Sequence, residues 1–388
     1  MSETLETRWQ RVEAAIRLEP TDRTPVVPLI DAKFACRYQG MTQGQSYREP
    51  DKAAAAIRAT FEALGGYDAA WAAGNTAAQV GFMYAPQKIR VPGKHLPDDV
   101  MLQNDEGELF TVEDYDRIID MGWNGFIEEF QTGATGRTWE QIQSRLDDFT
   151  QQFIRDKEAW EEMGVPVLTS TLTQSTLMLL SCGRSLTQFT LDLYRRPDKV
   201  EKALEATAPD LIGNAIKTAR TAGIPRVVIF MERGSGFYYP LKIFERFEFP
   251  YLKMMVSAFL AEGITPILHF DTDWIMNLPH LRELPRGGCL CQFDNGTDIF
   301  KAKEVLRDHL CIMGDVPAAL LSVGSREEVR AYCQKLMDVC GEGGGFILST
   351  GSITPIDARF ENVKELIDTG KSYKPVWTSG SQGAQARQ

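Results

Sequence analysis

His269 and Asp271 stand two apart at the end of an apolar run, Thr265–Phe270. In an extended strand, residues i and i+2 share a face. The imidazole and the carboxylate can therefore meet at one point, with Phe270 in the wall. Such a pair can ligate zinc, or it can be a hydrogen-bonded pair without metal. Other apolar runs end in the same way. Met231 is followed by Glu232 and Arg233, Phe293 by Asp294-Asn295-Gly296, and Thr350 by Gly351-Ser352. Asp315 follows Gly314, Asp273 follows closely on Asp271, and Asp31 follows the run Val26–Ile30. An Asp or Ser after a strand often caps the next helix. When several consecutive strands end in acid, imidazole or hydroxyl, a shared site becomes the better reading. Glu232, Asp273 and Asp294 are the candidate acids, and Asp31 is a candidate for substrate binding.

The segment Arg233–Pro240 combines small residues with Phe237, Tyr238 and Tyr239. With Arg233, these aromatics suit a loop that folds over a flat, apolar substrate. The other reading is a plain connection whose aromatics pack on the next helix. No G-x-G-x-x-G phosphate fingerprint occurs there. Cys289 and Cys291 are also two apart on a strand, and they read as buried thiols rather than ligands. Cys333 and Cys340 share a helix face and read as core. The remaining histidines, His95, His280 and His309, lie in loop-like or helix-end contexts and read as surface groups.

The elements that must position these residues follow from the hydrophobic pattern. Short apolar runs recur at Arg226–Met231, Thr265–Phe270, Gly288–Phe293, Cys311–Val316 and Gly345–Thr350. Earlier runs at Val26–Ile30 and Val165–Leu172 also read as strands. Helical periodicity covers Glu6–Leu18, Ala53–Leu64, Thr138–Met163, Leu186–Ala222, Leu241–Ala261, Asp298–His309 and Ser325–Cys340. Pro250 is expected to kink its helix, and Ser325 with Glu328 forms a capping box. Continuous apolar strands alternating with helices imply a parallel sheet covered on both faces. The expected fold is α/β: a (β/α)8 TIM barrel with an N-terminal helical extension, occupying residues 1–375 as a single unit. Residues 376–388, rich in Gly, Ser and Gln, read as a flexible tail. In a barrel, the strand ends singled out above gather at one mouth.

Composition narrows the partners. The 388 residues are 43% hydrophobic and 24% charged, an ordinary globular balance. The net charge of −11 argues against nucleic acid or an anionic membrane surface as partner. No apolar run approaches the roughly 20 residues that a membrane helix needs. Met1–Arg8 is polar and acidic and does not read as a secretory leader. Seven scattered cysteines fit reduced thiols, so a cytoplasmic location is expected.

Four stretches together resemble the uroporphyrinogen decarboxylase superfamily. They are the turn Asp22-Arg23-Thr24-Pro25-Val26, the phrase Pro266-Ile267-Leu268-His269-Phe270-Asp271, the run Asp298–Val316, and the closing Gly344-Gly345-Phe346-Ile347-Leu348-Ser349-Thr350-Gly351. The likeness spans roughly residues 8–370 and implies a (β/α)8 barrel. It also implies one of two chemistries: cofactor-free decarboxylation of uroporphyrinogen, or zinc-dependent methyl transfer to or from a corrinoid protein.

The decarboxylase branch holds its polycarboxylate substrate with an Arg-Gln-Ala-Gly-Arg-Tyr segment. Here the matching stretch is Lys33-Phe34-Ala35-Cys36-Arg37-Tyr38. One arginine is missing, and the acidic chain would not steer a polyanion. The methyltransferase branch carries His-x-Cys and a later Cys as zinc ligands. The matching positions read His269-x-Asp271 and Ser352, so both thiolates are replaced. A harder ligand set leaves zinc a stronger Lewis acid, better suited to an ether oxygen than to a thiol.

The resemblance thus implies the methyl-donor enzyme of a corrinoid-dependent O-demethylase system. Its substrate would be a small methoxylated aromatic flanked by Phe237, Tyr238 and Tyr239. Its metal would be zinc on His269, Asp271 and Ser352, with Glu232 as a further donor. Cobalamin would be supplied by a partner corrinoid protein, since no Asp-x-His-x-x-Gly motif occurs in this chain. A homodimer is in keeping with the family. The alternatives are a metal-free lyase of the decarboxylase type, a thiol or coenzyme M methyltransferase, and a binding protein without turnover.

Overall fold

The computed structural model describes residues 3–74 and 88–375. The expected tail, 376–388, lies outside the described residues. Six strands form one parallel sheet in sequential order: β3 (Thr171–Gln174), β4 (Arg226–Phe230), β5 (Thr265–Phe270), β6 (Leu290–Phe293), β7 (Cys311–Val316) and β8 (Phe346–Thr350). The preceding pair, β1 (Lys88–Arg90) and β2 (Gln103–Asp105), is a separate antiparallel hairpin.

Two short staves close the barrel. Val26 bridges to Leu348 of β8, with Val27 N donating to Leu348 O at 2.9 Å. Asp68 N donates to Val26 O at 2.8 Å, and Ala70 bridges to Val167 just ahead of β3. With these staves every edge of the six-stranded sheet is paired, which gives the expected barrel.

Strand alternation divides the apolar residues into two layers. Val27, Leu29, Leu168, Val228, Ile267, Leu290, Cys311, Met313 and Ile347 fill the interior. Val12, Ala15 and Ile16 of the first helix, Leu5–Ile16, pack into the same cluster. The N-terminal extension therefore plugs one end, and the strand C-termini open at the other. Val227, Ile229, Leu268, Cys289, Cys291, Phe293, Ile312 and Leu348 point outward against the helices. A satellite cluster under the helices Asp114–Thr135 and Pro197–Ala222 includes Phe110, Trp123 and Phe126.

Two helices differ from the sequence reading. Leu186–Ala222 is two helices, Leu186–Arg195 and Pro197–Ala222. Leu241–Ala261 is also two, Leu241–Phe247 and Phe249–Ala261. Pro197 and Pro250 sit in the first turn of the second member of each pair, where the missing N–H has no helical partner to lose. The proline therefore starts a new helix instead of kinking a continuous one. The capping box of Ser325 and Glu328 is present at the helix Arg326–Val339. None of the described helices is long and apolar enough to cross a membrane.

Candidate active site at the barrel mouth

The inward face of three adjacent strands continues past the apolar interior into polar side chains. Val228 and Phe230 lead to Glu232, Ile267 to His269 and Asp271, and Leu290 to Gln292 and Asp294. Period-two alternation places these residues on one side. The register pairs Phe230 with His269 and His269 with Gln292.

His269 is only 3% exposed. The Phe230 ring meets it edge-on at 4.8 Å, and Trp71 stands 6.4 Å away. Ligand atoms of Glu232, His269 and Asp271 all lie within 4.8 Å of one another. Among the described residues these three form the one such group of His, Cys, Asp or Glu side chains. His269 Nε2 is 3.3 Å from Asp271 Oδ1. Glu232 Oε2, His269 Nδ1 and Asp271 Oδ1 are each buried without a hydrogen-bond partner. A buried polar atom left unsatisfied costs free energy, so the trio is incomplete as a purely protein arrangement.

The electrostatics follow from this crowding. Burial pushes the Glu232 carboxyl up to about 7; the imidazole opposes the shift and the Asp271 charge adds to it. Burial pulls the His269 imidazole down, but the neighbouring Asp271, Glu232 and Asp294 carboxylates more than offset it, and the net direction is upward. Asp294 is raised by burial, although the N–H groups of Gly296 and Thr272 work against the shift.

The other acids singled out from the sequence each accept backbone hydrogen bonds. Asp294 Oδ2 accepts from Thr272 N at 3.1 Å, and Oδ1 accepts from Gly296 N at 2.7 Å. Asp294 thus braces the turn that carries Asp271. Asp273 is exposed and accepts from Ile275 N at 2.9 Å, a turn contact outside the trio. Asp31 caps the helix Ala32–Tyr38 through Lys33 N and pairs with Lys33 Nζ at 3.3 Å. Its carboxyl is raised by burial. Ser352 is half-buried beyond β8 and makes no hydrogen bond to the trio. The third acidic or imidazole side chain of the converging group is Glu232.

The loop after β4 divides its aromatics. Phe237 is 67% exposed and packs edge-on against Tyr238 at 5.0 Å. Tyr238 leans on the satellite cluster. Tyr239 is buried in that cluster, and its hydroxyl lies 2.9 Å from Thr190 Oγ1 on the helix Leu186–Arg195. Tyr239 therefore packs on a helix, while Phe237 and Tyr238 remain near the surface. Arg233 donates to Glu106 at 2.7 Å and to Ser181 O at 3.1 Å, which ties the loop to the segment after β2.

Three residues of this region were not singled out from the sequence. Trp71 enters from the second short stave. Gln292 is fully buried between His269 and Met313 in register. Glu248, at the junction of the helices Leu241–Phe247 and Phe249–Ala261, is wholly buried; its Oε2 accepts from Ser175 Oγ at 3.1 Å, and its Oε1 has no partner. Burial pushes the Glu248 carboxyl up to about 8, and the charge of Glu232 adds to this.

One imidazole and two carboxylates with free ligand atoms are a donor set that zinc accepts, and their orphaned atoms are what a metal site presents when the ion is left out. The residues fit the metal.

Comparison with known proteins gives the following. A family model described as uroporphyrinogen decarboxylase (URO-D) matches residues 161–373, more than half of the chain. Among solved structures, the chain is similar to a methyltransferase from Methanosarcina mazei at 18% identity, with a TM-score of 0.69, covering 95% of this chain and 99% of that one. At that identity the likeness shows a shared fold. A xylose isomerase domain protein from Planctomyces limnophilus matches at 13% identity with a TM-score of 0.30, over 58% of this chain and 81% of that one. No curated protein matches.

Proposed function

The chain belongs to the uroporphyrinogen decarboxylase family, and from that premise we propose that it is a methyltransferase that takes a methyl group from a methoxylated aromatic and passes it to the Co(I) corrinoid of a separate protein. The observation that carries this reading is the convergence of Glu232, His269 and Asp271 at the barrel mouth, each with a buried, unpartnered ligand atom.

The residues that would hold a zinc ion are Glu232, His269 and Asp271. Bound there, zinc supplies a Lewis acid for the oxygen that leaves as the CH3–O bond breaks, the charge that most needs relief in this reaction. Asp294 holds the Asp271 turn through its two backbone hydrogen bonds. Phe230 and Trp71 wall the imidazole and keep water from its buried side. The exposed Phe237, with Tyr238 beside it, lies where the loop can contact an aromatic ring or the docking protein.

Charge at the mouth also favours this reading over decarboxylation of a polycarboxylate. Glu232, Asp271 and Asp294 line it, and Arg233 is already paired with Glu106. Arg233 is therefore not free to hold a polycarboxylate.

The test is a methyl-transfer assay with zinc-loaded protein, a reduced corrinoid protein and a panel of methoxyarenes. Appearance of the methylated-corrinoid absorbance together with the free phenol supports the reading. Release of CO2 from a carboxylated substrate without any corrinoid, and no methyl transfer, would replace it with the lyase.

A further inference from the structure

His269 lies within β5 and is fixed by the strand ladder, but the two carboxylates of the trio lie beyond their strands. Glu232 follows the end of β4 and opens a short 3-10 turn, Glu232–Gly234, and Asp271 is the first residue past β5. With ligand atoms within 4.8 Å, two carboxylates repel each other until a cation joins them. The two turns must therefore be held in place by the chain itself. The residue after Asp271 is Thr272, and its φ is 71°. Among the described residues four other than glycine have a positive φ, and Thr272 is the one branched at Cβ. A branched side chain in that region crowds the backbone and costs free energy. The conformation is held from three sides. Thr272 N donates to Asp294 Oδ2 at 3.1 Å, and Thr272 O accepts from Thr297 Oγ1 at 2.8 Å. Thr272 Oγ1 lies 2.7 Å from the Oγ of Ser235, the residue that ends the Glu232 turn. Ser235 is fully buried, and its carbonyl accepts from Tyr238 N and Tyr239 N at 3.1 Å each. One hydroxyl–hydroxyl contact thus joins the loop bearing Glu232 to the turn bearing Asp271.

Resting on the reading of the trio as a zinc site, we propose that Thr272 is a positioning residue for the metal: its left-handed backbone and its hydroxyl contact with Ser235 hold the Asp271 and Glu232 carboxylates together before the ion arrives. A site already held in its bound shape spends less of the ion's binding free energy on ordering. Glycine adopts the same φ without strain, so the turn alone does not call for threonine. The hydroxyl that reaches Ser235 does. The hydrogen bonds around Thr272 offset the cost of its conformation, and they place that cost beside the two donors that no strand ladder holds. Thr272 acts through Asp271 and Glu232 and is not itself a ligand.

The test measures two quantities on the full chain: zinc affinity by competition against a chelating dye, and the thermal midpoint without metal. Thr272→Gly removes both the strain and the hydroxyl. It is expected to bind zinc more weakly by about tenfold or more, while its metal-free midpoint holds or rises. Thr272→Ser keeps the hydroxyl and should bind zinc as the wild type does. Ser235→Ala cuts the contact from the other side and should also weaken zinc binding by about tenfold. The double variant Ser235→Ala/Thr272→Gly should lose no more than Thr272→Gly alone, because both changes act on one contact. Ser235→Ala decides the matter if Thr272→Gly does not fold. Wild-type zinc affinity in both Thr272→Gly and Ser235→Ala overturns the proposal and leaves the zinc site standing. A metal-free midpoint that falls in step with zinc affinity in Thr272→Gly also overturns it, since the threonine then serves the fold alone. A wild type that binds no zinc overturns the proposal and the zinc reading together.

Discussion

His269 Nε2 stands 3.3 Å from Asp271 Oδ1, longer than a well-formed hydrogen bond between these groups. A structural His–Asp pair would close that contact into a directed bond. Here both residues keep a ligand atom free, and Glu232 brings a third within reach. The geometry is that of donors converging on a shared point, which is why the metal reading is favoured over the simple pair.

Removal of one donor should therefore act on zinc before it acts on the fold. Glu232→Gln is isosteric and leaves the barrel wall intact. It is expected to lower zinc affinity by about tenfold or more, with the thermal midpoint in the absence of metal unchanged or raised, since a buried carboxyl is removed. Competition against a chelating dye measures the affinity.

Zinc binding should also depend on pH through the same residue. Glu232 is pushed up to about 7, so below that pH its carboxyl carries a proton and offers a weaker donor. Affinity is expected to rise as pH passes from about 6 to about 8, and the rise should be shallower in Glu232→Gln. Dye competition across that range reads the slope.

Glu248 makes a separate prediction about stability. Its carboxyl is raised by burial from 4.5 to about 8 in the folded chain. Between those values the folded chain holds a proton that the unfolded chain has released, so stability falls as pH rises through the window. Glu248→Gln carries no such proton. Its advantage over the wild type should grow between about pH 5 and about pH 8, by on the order of 1 kcal/mol per pH unit at most. Urea unfolding at several pH values would reveal it; parallel curves for the two proteins would contradict the assignment.

The turn that carries Asp271 depends on a glycine. A Cβ on Gly296 would lie 2.6 Å from Thr272 Cα and carbonyl carbon. Those are backbone atoms and cannot rotate away. Gly296→Ala is expected to displace the turn, cost about 1–3 kcal/mol in stability, and weaken zinc binding. Unfolding and dye competition on one preparation test both effects. Retained zinc affinity would show that the Asp271 turn does not need this packing.

The parts of this site that could be read in the sequence were those carried by period-two alternation in strongly apolar strands. His269, Asp271, Glu232 and Asp294 follow runs rich in Val, Ile, Leu and Phe, so the mouth ends of β4 to β6 stood out. The stave around Ala69 and Ala70 did not. It follows Gly65 and Gly66, and alanine carries no strand signal of its own. Gln292 could have been found by the same alternation, as the polar residue between Leu290 and Asp294 on the inward face. An amide advertises no chemistry without its neighbours, so the sequence alone does not mark this one. Glu248 gave no signal, since an acid at a helix junction reads as exposed until the Gly234 loop packs against it. Ser352 was placed through family resemblance and not by alternation, and Glu232 has its place in the converging group.

The most direct test of the account is zinc content by elemental analysis after loading and gel filtration, on the wild type and on His269→Ala. The account predicts about one zinc per wild-type chain and essentially none on the variant, with the far-ultraviolet circular dichroism of the two unchanged. A wild type that retains no zinc, or a variant that retains as much, would contradict it.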